Sequence, residues 1–182
     1  AEYKHAKDLI THVKAYGGFC IGAACYPEGH IESSDKLSDL RNLKNKIDCS
    51  TDFLITQLFL DNNLFYSFKE KLDIMGVSLP VSAGIMPVIN KKQIVRITNL
   101  CGVRIPIKFK KILDKYENNP EALKEAGIAY ATEQIIDLLS SGVDGIHLYT
   151  MNRPEVARKV ISHISSIRSF LDESKECGAV CS

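Results

Sequence analysis

Ten residues at four places in the 182-residue chain are of types that do chemistry: Tyr26, Glu28 and His30; Gln57 and Asp61; Asn90 and Gln93; Tyr149, Asn152 and Arg153. Amide, phenol, imidazole and guanidinium groups beside small residues such as Gly22, Ala23 and Ala24 suit the holding of a flat, hydrogen-bonding heterocycle. Other chemistries lack their residues. No Gly-x-Ser-x-Gly elbow supports an acyl-transfer nucleophile, and there is neither a Gly-x-x-x-x-Gly-Lys phosphate loop nor a Gly-x-Gly-x-x-Gly fingerprint. His30, His147 and Glu28 are ligand types but come from separate segments at no diagnostic spacing. Cys177 and Cys181 offer two thiols, at most half a zinc site, so no metal is expected.

These groups share one place only if the elements carrying them are parallel strands whose C-terminal ends lie along one rim. The sequence predicts helix over 6–15, strand over 19–26, and a helix through Leu37, Leu40, Leu43 and Ile47 capped by Ser34 or Asp35. Next come the run Phe53–Asp61, helix over 63–75 stopped by Gly76, and strand over 79–85. Asn90 caps a short helix to about Thr98, 100–106 is an irregular crossing, and helices follow over 107–116 and 120–141. A fourth strand, 145–150, and a last helix, 154–171, complete the order. Phe53–Asp61 reads as a strand covered on both faces. Burying an unpaired amide costs about 1–3 kcal/mol. The Thr56-Gln57 pair therefore either finds backbone or water partners near the strand end, or Gln57 points into a ligand site.

Strands alternating with helices argue for an α/β fold with parallel strands and right-handed crossovers. Four strands make either a small open sheet or half of an eight-stranded barrel. A net charge of +1, from 23 basic and 22 acidic residues, removes a broad electrostatic case for nucleic acid. No apolar run reaches the ~18–20 residues of a membrane span, and the first residues do not resemble a signal peptide, so a cytoplasmic chain is expected. Cys20, Cys25, Cys49 and Cys101 sit in or beside apolar segments and read as free thiols.

Five stretches carry a resemblance: Ala23-Ala24-Cys25-Tyr26-Pro27-Glu28-Gly29-His30, Leu43-Lys44-x-Lys46, Phe53 through Asp61, Gly84-Ile85-Met86-Pro87-Val88, and Gly145 through Arg153. In this order and spacing, from about Tyr3 to Ile167, the chain resembles the methylenetetrahydrofolate reductases, flavin-dependent (β/α)8 barrels. The resemblance implies the C-terminal half of that TIM barrel, strands 5–8, over residues 1–171, with an irregular tail over 172–182. It implies FAD as cofactor, NAD(P)H as hydride donor and a folate substrate. Ala6, Ala24, Tyr26, His30, Asp39, Asn42 and Lys46 fall where the family contacts FAD, with Asp39 suited to ribose hydroxyls and Lys46 to the pyrophosphate. Gln57, Gln93 and Arg153 fall where it contacts folate or nicotinamide, and Tyr149 lines the same pocket. Arg153 has a competing reading as a structural ion-pair former.

Two departures stand out: Asn45 replaces a frequent basic residue near the FAD phosphates, and Ile97 a common aromatic at the substrate. Strands one to four, with the acid that protonates the folate ring, are expected outside this chain. The chain alone is then expected to be inactive and to associate with that half or another copy of itself. The alternatives are a non-catalytic half-barrel module for binding or interaction, and an enzyme of another barrel family.

Overall fold

The computed structural model describes residues 3–179, with side chains through residue 173. The order is α1 (Ala6–Tyr16), β1 (Gly22–Cys25), α2 (Lys36–Asp48), β2 (Phe53–Thr56), α3 (Asn62–Ile74), β3 (Val81–Ile85), α4 (Lys91–Cys101), α5 (Ile107–Tyr116), α6 (Pro120–Ser140), β4 (Gly145–Leu148), α7 (Pro154–His163) and α8 (Ser165–Ala179). The four strands are parallel and lie in the order β1-β2-β3-β4. Each crossover therefore steps one strand in the same direction, and a constant handedness then puts the helices on one face. A doubly wound sheet would reverse direction and cover both faces. This single winding is that of a barrel wall, and a four-stranded arc of it is consistent with half a (β/α)8 barrel.

Burial follows the winding. Ala23, Cys25, Leu54, Val81, Ala83 and Ile85 point into the helix layer, against Leu43, Phe65, Phe68, Leu72, Ile128, Ile135, Leu138, Val156 and Val160. Each fully buried Leu, Ile or Phe here contributes about 1.5–3 kcal/mol. The register puts Gly22, Ala24, Phe53, Ile55, Ser82, Gly145 and His147 on the other face, where all are half-buried or exposed. The expectation that Phe53–Asp61 is one strand covered on both faces is corrected accordingly: the ladder holds only Phe53–Thr56, and helices cover one side. The small residues of β1 admit a close neighbour, and at Gly22 it is the Phe53 ring, whose Cζ lies 2.5 Å from where a Cβ would sit.

Beyond the strand ends, Leu58, Leu60, Met86 and Val88 continue into a second cluster with Ile94, Phe109, Leu113 and Leu123 from α4, α5 and α6. This cluster roofs part of the C-terminal rim. α6 approaches it so closely that a Cβ on Gly127 would fall 1.6 Å from the Val88 carbonyl oxygen. Asp35, Asp61 and Asn90 cap α2, α3 and α4 at the same rim, each accepting a backbone N–H of the first turn.

Three boundaries differ from expectation. α4 continues to Cys101, ended by Gly102 at φ 69 with Val103 N–H donating to the Thr98 carbonyl. The expected helix 154–171 breaks at Ile164, which is 8% exposed. Around that break Ser162 and Ser165 hydroxyls bond the carbonyls of Lys159 and Ser162, a local alternative to the helical ladder. α8 then runs to Ala179 where an irregular tail from 172 was expected. The Cys177 side chain and Cys181 lie outside the described residues, and Cys20, Cys25, Cys49 and Cys101 are free thiols.

Candidate functional site at the C-terminal rim

β1 runs out into Tyr26-Pro27-Glu28-Gly29-His30, and α2 returns alongside it. Lys46 Nζ donates to the Ala24 carbonyl at 2.6 Å and stands 5.7 Å from the centre of the Tyr26 ring. The Tyr26 and His30 rings meet edge to face at 4.5 Å. His30 Nδ1 accepts the Glu32 N–H at 3.2 Å, which leaves Nε2 to carry the proton of the neutral ring. Asp39 is 8% exposed and accepts the Ser33 hydroxyl at 3.2 Å. Burial pushes the Lys46 ammonium below the usual lysine range, with Cys25 and Asp39 opposing. No carboxylate among the described residues forms an ion pair with it. Burial, helped by the Asp39 charge, pushes the Tyr26 phenol up.

Glu28 faces away from this group. Its side chain, 8% exposed, accepts Arg104 Nε at 2.8 Å and the Arg104 backbone N–H at 3.1 and 3.3 Å. It thus ties the loop after β1 to the turn between α4 and α5. His147 packs on Tyr149 at 4.6 Å, so His30, His147 and Glu28 each serve a different contact.

The seam between β2 and β3 changes character at Thr56. Leu54 N–H donates to the Pro80 carbonyl at 2.8 Å, and pairing reaches Ile55 and Ser82. The next bond of a parallel ladder would join Gly84 N–H to the Thr56 carbonyl. Instead Gly84 N–H donates to Thr56 Oγ1 at 2.8 Å, and the Tyr149 hydroxyl reaches across β3 to donate to the Thr56 carbonyl at 3.0 Å. Only glycine fits beneath: a Cβ on Gly84 would lie 2.3 Å from the Thr56 carbonyl oxygen and 2.8 Å from Tyr149 Cε2. Of the polar pair, Thr56 is fully buried and has its partners in the backbone. Gln57 is half-buried, anchored by its N–H to the Cys25 carbonyl at 2.7 Å, and its amide has no hydrogen bond among the described residues. Burial, then Cys25 and Cys101, pushes the Tyr149 phenol up.

The sequence comparisons bear on this rim. A sequence model of the methylenetetrahydrofolate reductases matches residues 1–165. The chain belongs to this family. It is 36% identical to "Methylenetetrahydrofolate reductase (NADH) 1" of Arabidopsis thaliana over 93% of its own length and 30% of that protein's. It is 34% identical to the 5,10-methylenetetrahydrofolate reductase of Escherichia coli, over 92% of its length and 56% of that protein's. The chain thus spans about a third to a half of these relatives. A Clostridium thermocellum protein, described as binding two copies of 5-methyl-5,6,7,8-tetrahydrofolic acid, superposes with a TM-score of 0.55 at 17% identity, over 91% of this chain and 59% of that one; the likeness is one of fold.

The structure brings Ala24, Tyr26, His30, Asp39 and Lys46 into one group, and Gln57 and Tyr149 onto one seam. Ala6 opens α1 and Asn42 lies on α2 between Asp39 and Lys46; both are exposed, and the Asn42 amide has no hydrogen bond among the described residues. Gln93 stands in the first turn of α4, its N–H held by Asn90 at 3.1 Å and its amide side chain half-buried. The Arg153 side chain is 60% exposed and makes a loose 3.8 Å ion pair with Glu155. Asn45 is exposed, and Ile97 packs with the second cluster. Sequence reasoning passed over Arg104, which sits in a stretch with no periodicity to flag it, and over the Thr56 hydroxyl as a stand-in for a ladder carbonyl.

Proposed function

We propose that this chain forms strands 5–8 of a (β/α)8 barrel, and that the whole protein reduces 5,10-methylenetetrahydrofolate to 5-methyltetrahydrofolate with NAD(P)H as donor and FAD as bound cofactor. When bound, FAD supplies acceptance of a hydride from nicotinamide and its delivery to the folate methylene carbon. The observation that carries the reading is a pair of polar groups open to a ligand on a shared rim: Lys46, half-buried, bonded to a carbonyl and in no ion pair with a carboxylate, and Gln57, whose amide has no hydrogen bond among the described residues.

The residues fit a flavin dinucleotide. A half-buried ammonium bonded only to a carbonyl gains from an arriving pyrophosphate, which restores the charge partner that burial has made valuable. Asp39 is positioned to accept from ribose hydroxyls, and Tyr26 and His30 present aromatic edges beside the uncovered Ala24. Ala6 and Asn42 supply the outlying contacts that the family resemblance implies. Gln57 hydrogen-bonds the pterin, with Gln93, Arg153 and the Tyr149 ring completing the folate and nicotinamide pocket.

Three of the carboxylates near this rim already have partners. Glu28 is held by Arg104, Asp39 by Ser33, and Asp61 caps α3 through Asn63. We place the acid in the part of the barrel outside this chain, as the family resemblance implies, so residues 1–182 alone are expected to be inactive. The test compares residues 1–182 with the protein as its gene encodes it, by flavin absorbance and NAD(P)H oxidation with an electron acceptor. A yellow, NAD(P)H-oxidising whole protein beside an inactive chain is expected; a colourless, inert whole protein contradicts the proposal.

A further inference from the structure

We infer that Thr56 and the Tyr149 hydroxyl are positioning residues that set the aim of Gln57, an inference that rests on the proposed folate site. Parallel strands stay in register because each carbonyl meets the neighbouring strand's N–H. At Thr56 that exchange stops: its hydroxyl takes the Gly84 N–H at 2.8 Å, and its carbonyl, released from β3, takes the Tyr149 hydroxyl at 3.0 Å. A side-chain oxygen has replaced a backbone one, so β2 and β3 are joined here by a different geometry from the ladder below. The β1 side of β2 is undisturbed, since Gln57 N–H still bonds the Cys25 carbonyl at 2.7 Å. The β4 side of β3 is likewise regular, with Tyr149 N–H on the Ile85 carbonyl at 2.8 Å.

The break is therefore confined to one seam, at the residue preceding the unclaimed amide. Thr56 is fully buried, so neither hydrogen bond is exchangeable for water without loss. Tyr149 spans β3 over Gly84, where a Cβ would block it, and closes the chain β4–β2 above the opened seam. Its hydroxyl is thereby committed to the backbone. The ring lines the pocket while the oxygen holds Thr56, and through it the direction in which Gln57 leaves the strand.

The test is a double-mutant cycle in the protein as its gene encodes it, read as kcat/KM for methylenetetrahydrofolate, with bound flavin and melting temperature measured beside it. Tyr149→Phe keeps the ring and removes one hydrogen bond; a fall of about fivefold is expected with flavin content unchanged. Thr56→Val leaves the Gly84 N–H unpaired and lowers kcat/KM by about tenfold, while Thr56→Ser, which keeps the oxygen, restores most of it. In a Gln57→Ala background, Tyr149→Phe has no further effect. A Tyr149→Phe loss that persists in that background means the hydroxyl meets the ligand itself and overturns the inference. So does an unchanged Tyr149→Phe enzyme when Gln57→Ala is impaired; that result spares the folate site. An unimpaired Gln57→Ala enzyme overturns the site reading and the inference with it. Should Thr56→Val not fold, the Tyr149→Phe cycle decides alone.

Discussion

Replacing Glu28 and replacing Arg104 have unequal consequences, although the two residues form one ion pair. The pair's Coulombic part is small, because the Arg104 side chain is 69% exposed and water screens it; exposed pairs are worth about 0–1 kcal/mol. Arg104→Ala removes one Nε–H bond and leaves the Arg104 backbone N–H on Glu28, so a loss of about 0.5 kcal/mol is expected. Glu28→Ala removes the acceptor of both the Nε–H and the backbone N–H. With its side chain 8% exposed, it also opens a hole under the loop. Charge-assisted bonds contribute about 1.5–3 kcal/mol, so Glu28→Ala loses about 2–3 kcal/mol. Because the lost contact joins the Tyr26–His30 loop to the α4–α5 turn, flavin retention weakens with stability. Urea unfolding of the variants, with flavin released on dilution as a second readout, checks this. Equal destabilisation by the two substitutions, or a larger loss for Arg104→Ala, would refute the claim that the backbone N–H and burial carry the contact.

Gly127→Ala puts a Cβ 1.6 Å from the Val88 carbonyl oxygen, so α6 must shift; overpacking of this kind costs about 1–3 kcal/mol, read as a lowered urea midpoint. Lys46→Met keeps the stem but removes the charge, so bound flavin falls at least about tenfold while the melting temperature holds or rises; unchanged flavin retention contradicts the role given to Lys46. Hydrogen bonds from Ser38 and Ser34 hold the Asp35 carboxyl down at about 2, and Asp52 and Asp137 are lowered by Ile21 N–H and Asn62 respectively. Groups with depressed folded pKa values stabilise above their unfolded pKa and lose that contribution as pH falls through the folded one, so the melting temperature declines from about pH 4 down to about pH 2. Asp35→Asn flattens part of that slope. The outer edges of β1 and β4 are unpaired among the described residues, so residues 1–182 alone are expected to self-associate; a monomer by light scattering at micromolar concentration contradicts this.

Helix and strand order was legible because helical spacing and strand runs are local, and Gly, Asp and Asn mark the ends. The rim was legible too, since parallel strands must place their following residues together. What the sequence could not show was which face of each strand lay open. Phe53 and Ile55 are as apolar as buried strand residues, and only the one-directional order β1-β2-β3-β4 leaves them half-covered. The Thr56-Gln57 pair was visible as an anomaly, but its division of labour was not. It depends on Gly84 and Tyr149, which lie 28 and 93 residues away along the chain. Glu28 was noticed as a rim carboxylate, and its turn toward Arg104, 76 residues on, is a tertiary event without a local signature. The break at Ile164 was missed because Ser-rich helix ends read much like Ser-rich helix faces.

The central claim, that this rim serves folate reduction, meets its most direct measurement in the oxidative half-reaction. The protein as its gene encodes it is reduced anaerobically with NAD(P)H and mixed with methylenetetrahydrofolate, and flavin reoxidation is followed with product analysis. Reoxidation with stoichiometric 5-methyltetrahydrofolate, slowed many-fold by Gln57→Ala with flavin still bound, is the predicted result. Flavin that stays reduced in the presence of methylenetetrahydrofolate contradicts the account.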